Sequence, residues 1–175
     1  VHRNRGLLIP PISIHQELKL LELRRVLEAL AVRLAAERAD PVQRSRIGEL
    51  LTQLDTDDLT LGGYVECVGK VHDLVAQMSS NEYLQDALTP LQGLSRRFWL
   101  AFVDDDVSEI RTWADDVRLL LTGVLDGHGD AAVRASERLN LRLVEFARAA
   151  ADKRPRNFSR YFADRKVTGT VLTPD

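Results

Sequence analysis

The segment from Glu17 to Asp40 most constrains the fold of this chain, because it reads as one long amphipathic helix. Its leucines recur at steps of three and four residues, which places them on one stripe of a helix. These leucines are Leu20, Leu23, Leu27, Leu30 and Leu34. Arg24 lies four residues after Leu20, so its side chain must cross or flank that stripe. A guanidinium there reaches solvent or meets an acceptor inside the protein, and the second outcome would suit a bundle built to hold an anion.

The composition is that of a single globular domain. Of the 175 residues, 45% are hydrophobic and 29% are charged, which is enough for a sizeable core. The net charge of −2 gives no overall basic field, so the chain is a poor candidate for binding nucleic acid by itself. The single cysteine, Cys67, excludes an internal disulfide and indicates a reducing compartment, which we interpret as the cytoplasm.

Helix signals divide the chain into three parts. Residues 1–13 predict a short extended piece and a linker, because Pro10 and Pro11 disfavour helix. Residues 14–152 predict six helices, and residues 153–175 predict one more short helix and a tail. The capping residues are predicted to be Asp40, followed by Pro41, for the second helix, Ser79 to Asn81 for the fourth and Asp130 for the sixth. The fold class is therefore all-α, an antiparallel bundle of six to seven helices.

Four polar residues lie on apolar faces of four different predicted helices, namely Arg24, His72, Arg118 and Asn140. Each has an ordinary structural explanation, since His72 could be a core-edge histidine bonded to a neighbour and the others could flank their helices. Buried polar groups need partners, however, so four of them converging on one central cavity would suit a polar ligand. We therefore predict that these residues bind a ligand.

Motifs of known chemistry are missing from the sequence. It has no phosphate loop, CxxC pair, HExxH or GxSxG, and no base–nucleophile pair, so we predict that the protein is not an enzyme. The acidic clusters Asp104–Asp106 and Asp115–Asp116 resemble metal sites only superficially, because consecutive carboxylates on a helix point in different directions. We interpret the first as a solvated helix end and the second as an exposed helix face.

Four segments follow one another in a distinctive order: RGLLIPP, ELRRVLEALAVRLAAERA, VHDLVAQMSSNEYL, and an acidic turn followed by DAAVRAS. In this order, from about Arg5 to about Arg148, the chain resembles the effector-binding C-terminal domain, or FCD domain, of the FadR subfamily of GntR transcription regulators. In that family a winged helix-turn-helix precedes the domain. The resemblance implies that residues 1–13 are the end of its wing strand and the linker from a missing DNA-binding domain, and that residues 14–152 are a helical bundle around a ligand cavity.

The resemblance also bears on metal binding. Many such domains hold a divalent metal through an aspartate four residues before a histidine, plus two histidines on the last two long helices. At the matched positions this chain has His72, Val68 in place of the aspartate, Arg118 or Val117 on helix five, and Asn140 on helix six. One histidine cannot hold a zinc-type ion in the usual way, so we expect no metal and no other cofactor.

The substitutions suggest what replaces the metal. Arg118 could supply a fixed positive charge with Arg24 opposite, because guanidinium groups bind carboxylates by paired hydrogen bonds, while His72 and Asn140 orient the ligand. In the alternative, the pocket has degenerated and Arg118 points to solvent. By resemblance the protein is a ligand-sensing and dimerisation domain of a bacterial regulator: a homodimer in the cytoplasm that binds a small carboxylate, contacts operator DNA only through the missing N-terminal domain, and does not contact membranes. A ligand-free oligomerisation domain and an acyl-ligand variant of the sensor remain as alternatives.

Overall fold

The computed structural model of the protein describes residues 13–104 and 107–153, and these fold as a bundle of helices without strands. The helices are α1 (Ile14–Arg38), α2 (Pro41–Leu54), α3 (Leu61–Met78), α4 (Glu82–Phe102), α5 (Val107–Leu125) and α6 (Gly129–Ala149), followed by a 3-10 turn at Ala150–Asp152. The all-α prediction is confirmed. The predicted wing strand and the short C-terminal helix lie outside the described residues. Within the described part of the chain, no helix combines the length and apolar character needed to cross a bilayer.

Side-chain caps set the starts of α1 to α4, and that of α3 is Thr60, whose hydroxyl accepts from the Gly63 N–H at 3.1 Å. Ser13 Oγ accepts from the Gln16 backbone N–H at 3.2 Å, and the Gln16 side chain accepts from Ser13 N–H in return. Asp40 caps α2 in the same reciprocal way, with Pro41 in the first turn, and Asn81 Oδ1 accepts from a first-turn N–H of α4. These groups satisfy N–H donors that a helix leaves unpaired at its first turn. The predicted caps at Asp40 and Asn81 are therefore confirmed.

The start of α6 differs from the prediction. Asp130 is not the cap, because α6 already begins at Gly129 and His128 holds the capping position without a side-chain hydrogen bond. Gly127 adopts φ +73° and turns the chain sharply after α5, so α6 begins at Gly129, earlier in the chain than predicted. Asp130 lies instead in the first turn, where its carboxylate pairs with Arg33 of α1 at 2.8 Å.

Helix α1 is the central helix, since it packs against α3, α4, α5 and α6. Its buried face is not the leucine stripe, because Leu23 and Leu30 are 49% and 44% exposed. The buried residues are Glu17, Leu21, Arg24, Ala31, Val32, Ala35 and Ala36. Small side chains near its C-terminal end suit a helix with neighbours on several sides, as the crowded face selects for alanine over leucine. The polar Glu17 and Arg24 thereby lie inside the bundle.

An aromatic cluster closes the interior beside this polar stretch of α1. Trp99 of α4 contacts Tyr64 of α3 and Trp113 of α5, with ring centroids 5.5 and 5.8 Å apart. Phe146 of α6 packs edge-on against Trp113. Such tilted and edge-to-face pairs add stabilisation beyond the area that they bury. Four helices are thus joined at one point, and this point forms one end of the candidate site.

Candidate functional site

Two small cavities lie in the interior of the bundle, with volumes of about 50 and about 30 Å³. The first cavity is lined by one residue of α1, several of α3 and α4, Trp113 of α5 and two leucines of α6. Its polar lining residues are Arg24, Tyr64, His72, Gln92, Ser95 and Arg96. The second cavity is mostly aliphatic and shares His72, Gln92 and Leu139 with the first. The bundle therefore surrounds two adjoining, mainly apolar cavities, of which the first has more charged and polar side chains in its lining.

Arg24 is anchored by an ion pair between the two cavities. Its side chain is 3% exposed, and Nη2 and Nε donate to Glu28 Oε1 at 2.6 and 3.1 Å. Gln92 of α4 donates to the same oxygen at 3.1 Å. Burial raises the pKa of Glu28, but the charges of Arg24 and His72 and the hydrogen bonds from Arg24 and Gln92 together outweigh it, so the pKa is lowered. Of the two outcomes expected for Arg24, the internal acceptor is the one that the structure shows.

His72 presents an unpartnered nitrogen to the interior. Nδ1 is buried and finds no hydrogen-bond partner among the described residues. Burial lowers the pKa of His72 to about 4, with further lowering by the positive charges of Arg24 and Arg96 that exceeds the opposing effect of Glu28. The ring is therefore neutral near pH 7 and can either donate or accept a hydrogen bond.

Arg96 brings a second guanidinium to the first cavity. It rests over Gly69 of α3, where a Cβ atom would lie only 2.6 Å from Arg96 Nη1. No acidic side chain of the described residues forms an ion pair with it. Its sequence signal is the row Gln92, Ser95, Arg96 and Trp99, which repeats at helical spacing on α4, together with the facing glycine on α3. Arg96 was not among the ligand residues predicted from the sequence.

Ser95 and Trp99 complete the polar wall of the first cavity. The Ser95 hydroxyl donates a short hydrogen bond to Oε1 of Glu17, a carboxyl group that is 1% exposed and whose Oε2 has no partner within the described part of the chain. Burial raises the pKa of Glu17, although the Ser95 hydrogen bond and Arg24 oppose this. Trp99 Nε1 is likewise buried without a partner in that part of the chain. Two ring nitrogens at this cavity, those of His72 and Trp99, are therefore available for a ligand.

Two of the four predicted ligand residues are not at this site. Arg118 is 36% exposed and pairs at the surface with Asp55 and Asp115, at 2.5 and 3.0 Å. Asn140 is buried, but its amide donates to the Leu21 carbonyl oxygen at 3.2 Å, and it lines neither cavity. The structure thus brings Arg24 and His72 together, whereas Arg118 and Asn140 lie elsewhere. The reason for Arg118 is the rotation of α5, which directs Val117 inward and Arg118 towards two surface carboxylates.

The side chains at the matched metal positions do not fit a metal ion. Of the two helix-five registers, the structure supports the one with Val117 inside, and Val68 lines the first cavity as an apolar residue. Among the described residues no three His, Cys, Asp or Glu side chains converge on a common point. His72 is left as the one good donor, because Asn140 is turned to a backbone carbonyl.

Asp116 is buried, which corrects the prediction that it lies on an exposed face. Its side chain is 0% exposed and pairs with Arg138 at 2.9 Å and with Arg142 at shorter range. The Arg142 guanidinium also lies 5.8 Å from the centroid of the Trp113 ring. Burial and the Asp116 charge raise the pKa of Tyr64, so this phenol stays neutral. Asp116 thus fixes α6 to α5 beside the aromatic end of the first cavity.

Comparison with known families identifies the domain. The model of the FCD domain matches residues 19–142, which include nearly all of the residues that line the two cavities. No curated protein matches the chain. FCD domains are the ligand-sensing C-terminal domains of GntR-family transcription regulators. The matched segment covers most of the chain, and the protein belongs to the FCD domain family.

Proposed function

We propose that this domain senses a small carboxylate without a metal ion, as the effector-binding and dimerisation part of a FadR-type regulator in the bacterial cytoplasm. The homodimer would reach operator DNA through an N-terminal winged helix-turn-helix domain. The observation that carries the proposal is that Arg24 and Arg96 line one cavity whose described lining contains no carboxylate side chain. An interior of this kind favours a sensor over a ligand-free scaffold, for which a filled interior would be expected.

The two arginines have different roles in this proposal. The charge of Arg24 is balanced by Glu28, so Arg24 forms a fixed wall. Arg96 supplies the uncompensated positive charge, and its planar guanidinium matches a carboxylate by two parallel hydrogen bonds. His72 and Ser95 are close enough to the same cavity to orient the anion. Arg96 therefore takes the part that the sequence analysis assigned to Arg118.

The first turn of α1 offers a route for the signal. Ser95 lines the cavity and is bonded to Glu17, which lies just after the cap of α1. A carboxylate that accepts from the Ser95 hydroxyl would compete with Glu17 and so change the packing of that turn. A ligand shifts a conformational equilibrium only through different affinities for the two states, and this competing hydrogen bond is a source of such a difference.

Titration of the purified chain with acetate, butyrate and succinate in the presence of EDTA tests the proposal. At 100 times the Kd, an effective ligand should raise the Tm by roughly 5–10 °C. Arg96→Gln should weaken binding by about tenfold or more, since charge-assisted hydrogen bonds are lost. Arg118→Gln, also an arginine-to-amide change but at the surface, is the matched control and should bind like the wild type.

Three results would contradict the proposal. Equal affinities of the Arg96→Gln and Arg118→Gln variants would remove Arg96 from the site. Binding that EDTA abolishes would refute the metal-free mechanism. Failure of all three acids to bind at millimolar concentration would refute the carboxylate effector itself. Light scattering of the eluted chain tests dimerisation separately, where a mass of one chain at micromolar concentration would exclude a stable dimer.

A further inference from the structure

The two cavities adjoin each other inside the bundle. His72, Gln92 and Leu139 line both of them. Arg24 lines the first and its ion-pair partner Glu28 lines the second. The boundary between the cavities therefore consists of a shared set of residues from α1, α3, α4 and α6, including the hydrogen bond from Gln92 to Glu28.

The two cavities are both mainly apolar, and they differ in their charged lining residues. The first has two guanidinium groups and no carboxylate in its described lining. The second is lined mainly by aliphatic residues such as Ala31, Val71, Ala76 and Leu120, and Glu28 is its charged residue. An anion is thus favoured in the first cavity, where Arg96 has no acidic partner among the described residues, and a hydrocarbon chain is favoured in the second, where Glu28 is already paired with Arg24.

We propose that the two cavities form one bipartite site for a monoanion with a short aliphatic chain. The carboxylate occupies the first cavity near Arg96, and the chain extends past Gln92 and Leu139 into the second. This inference rests on the proposed function, because it requires the first cavity to bind a carboxylate. Since one water-sized group needs about 10–15 Å³ of such volume, the two cavities together hold roughly six non-hydrogen atoms. That is the size of a short-chain fatty acid such as butyrate, and it excludes a long acyl chain.

A chain-length series measured by calorimetry on the purified chain tests the inference. From acetate through propionate to butyrate, the affinity should rise by about fourfold per methylene group, as expected for burial of a CH₂. It should fall again at octanoate, which exceeds the available volume. Succinate should bind more weakly than butyrate, because its second carboxylate would enter the aliphatic second cavity, where no unpaired cation of the described lining meets it. An affinity that does not depend on chain length, or succinate binding tighter than butyrate, would overturn the proposal.

Two opposite changes of volume in the second cavity sharpen the test. Ala76→Val fills the cavity and should lower the ratio of butyrate affinity to acetate affinity by about fourfold or more. Val71→Ala enlarges it and should move the best chain length upward, to valerate or hexanoate. Ile47→Val, a core substitution on α2 away from both cavities, is the control for loss of stability and should keep the wild-type ratio. If Ala76→Val does not fold, the result for Val71→Ala decides.

The two proposals fail in different ways. If acetate binds through Arg96 but neither cavity variant changes the chain-length preference, the bipartite site is refuted and the carboxylate sensor stands. If Arg96→Gln has no effect on acetate or butyrate, the sensor proposal fails, and the bipartite site fails with it. Confirmation requires both the dependence on Arg96 and the opposite shifts produced by Ala76→Val and Val71→Ala.

Discussion

Two arginine-centred regions of this protein differ in how the hydrogen-bond donors of their guanidinium groups find partners. Arg44 of α2 donates Nη1 to the carbonyl oxygens of Val124, at 3.1 Å, and Leu125, and Nη2 to that of Ala36 at 3.0 Å. These carbonyls belong to the last turns of α5 and α1, which lack helical partners and carry partial negative charge. We call this region the carbonyl cluster. Its guanidinium joins three helix ends, and its hydrogen-bond donors are met by the protein itself.

The cavity cluster consists of Arg24, Glu28, His72, Gln92 and Arg96, and it has more donors than acceptors. Arg24 is paired, but Arg96 has no acidic partner among the described residues and His72 Nδ1 has no partner there. Unmet polar groups in a protein interior are costly, and they persist where a ligand completes them. The comparison shows that the count of partners, more than burial or residue type, separates Arg44 from Arg96, the arginine for which we propose a ligand.

The largest expected effect is on the carbonyl cluster. Arg44→Met keeps most of the hydrophobic stem but removes the donor to the carbonyl oxygens of Leu125 and Ala36, while that of Val124 keeps the Gly127 N–H at 3.2 Å, and should destabilise the protein by about 3 kcal/mol. Urea denaturation measures this loss, and calorimetry should show unchanged carboxylate affinity in the folded variant. A loss below about 1 kcal/mol would mean that water replaces the guanidinium readily, and the contrast between the two regions would disappear.

A change at Gly69, beside the cavity cluster, should lower carboxylate affinity and leave stability nearly unchanged. Gly69→Ala places a Cβ only 2.6 Å from Arg96 Nη1, so the flexible arginine would move. Carboxylate affinity should fall by about tenfold, while stability changes by less than about 1 kcal/mol, since alanine is favoured over glycine in a helix. The matched control is Gly48→Ala on α2, where an added Cβ meets no atom within 4 Å. Unaltered affinity in Gly69→Ala would show that the position of Arg96 is unimportant for binding.

The pH dependence of stability should also differ between the regions, because the cavity cluster contains a histidine. The folded pKa of His72 is lowered from 6.5 to about 4, so the unfolded chain binds a proton first as the pH falls. The contribution of His72 is complete above pH 6.5 and is lost as the pH falls through about 4. Denaturation between pH 7 and pH 4 should therefore show a shallower loss of stability in His72→Gln than in the wild type. Parallel curves would exclude this role for His72.

Glu17 should give the smallest effect, with the opposite sign. Its folded pKa is raised above the usual 4.5 by burial, so its contribution to stability is complete below pH 4.5 and is lost as the pH rises through the folded pKa. Glu17→Gln keeps an oxygen for the Ser95 hydroxyl but removes the buried charge. The variant should be more stable than the wild type at pH 7, and this advantage should shrink towards pH 4. A variant less stable at pH 7 would indicate that the charge on Glu17 is needed for packing.

Local signals in the sequence predicted the elements well. The capping residues Asp40 and Asn81 were identified correctly because a cap is a contact between neighbours in the chain. The position of Arg24 beside the apolar face of α1 limited its side chain to solvent or an internal acceptor, and the structure shows the second, Glu28, one turn away on the same helix. The helical spacing of His72 left two readings open, a core-edge histidine or a ligand-binding one, and the structure shows that it lines the first cavity.

Predictions of which side of a helix faces the interior were less successful. The leucine stripe of α1 is partly exposed because four helices surround α1 and its crowded face selects alanine. Arg118 and Asp116, two residues apart, were assigned to the wrong sides of α5, since a rotation of 100° per residue exchanges inside and outside. Arg96 was overlooked because its significance depends on Gly69, a residue of another helix.

The amino-acid sequence alone determined that this chain forms an all-helical domain and where most of its helices begin. The order of its segments was also enough to indicate the family that it resembles. Those properties depend on periodicity and on contacts within a few residues, which propensity and capping control. Only the tertiary structure decided that Arg96 joins Arg24 at a cavity without carboxylates while Arg118 stays at the surface. The physical reason is that the balance of charges around an interior space is set by side chains from four helices, whose mutual rotation no single helix specifies.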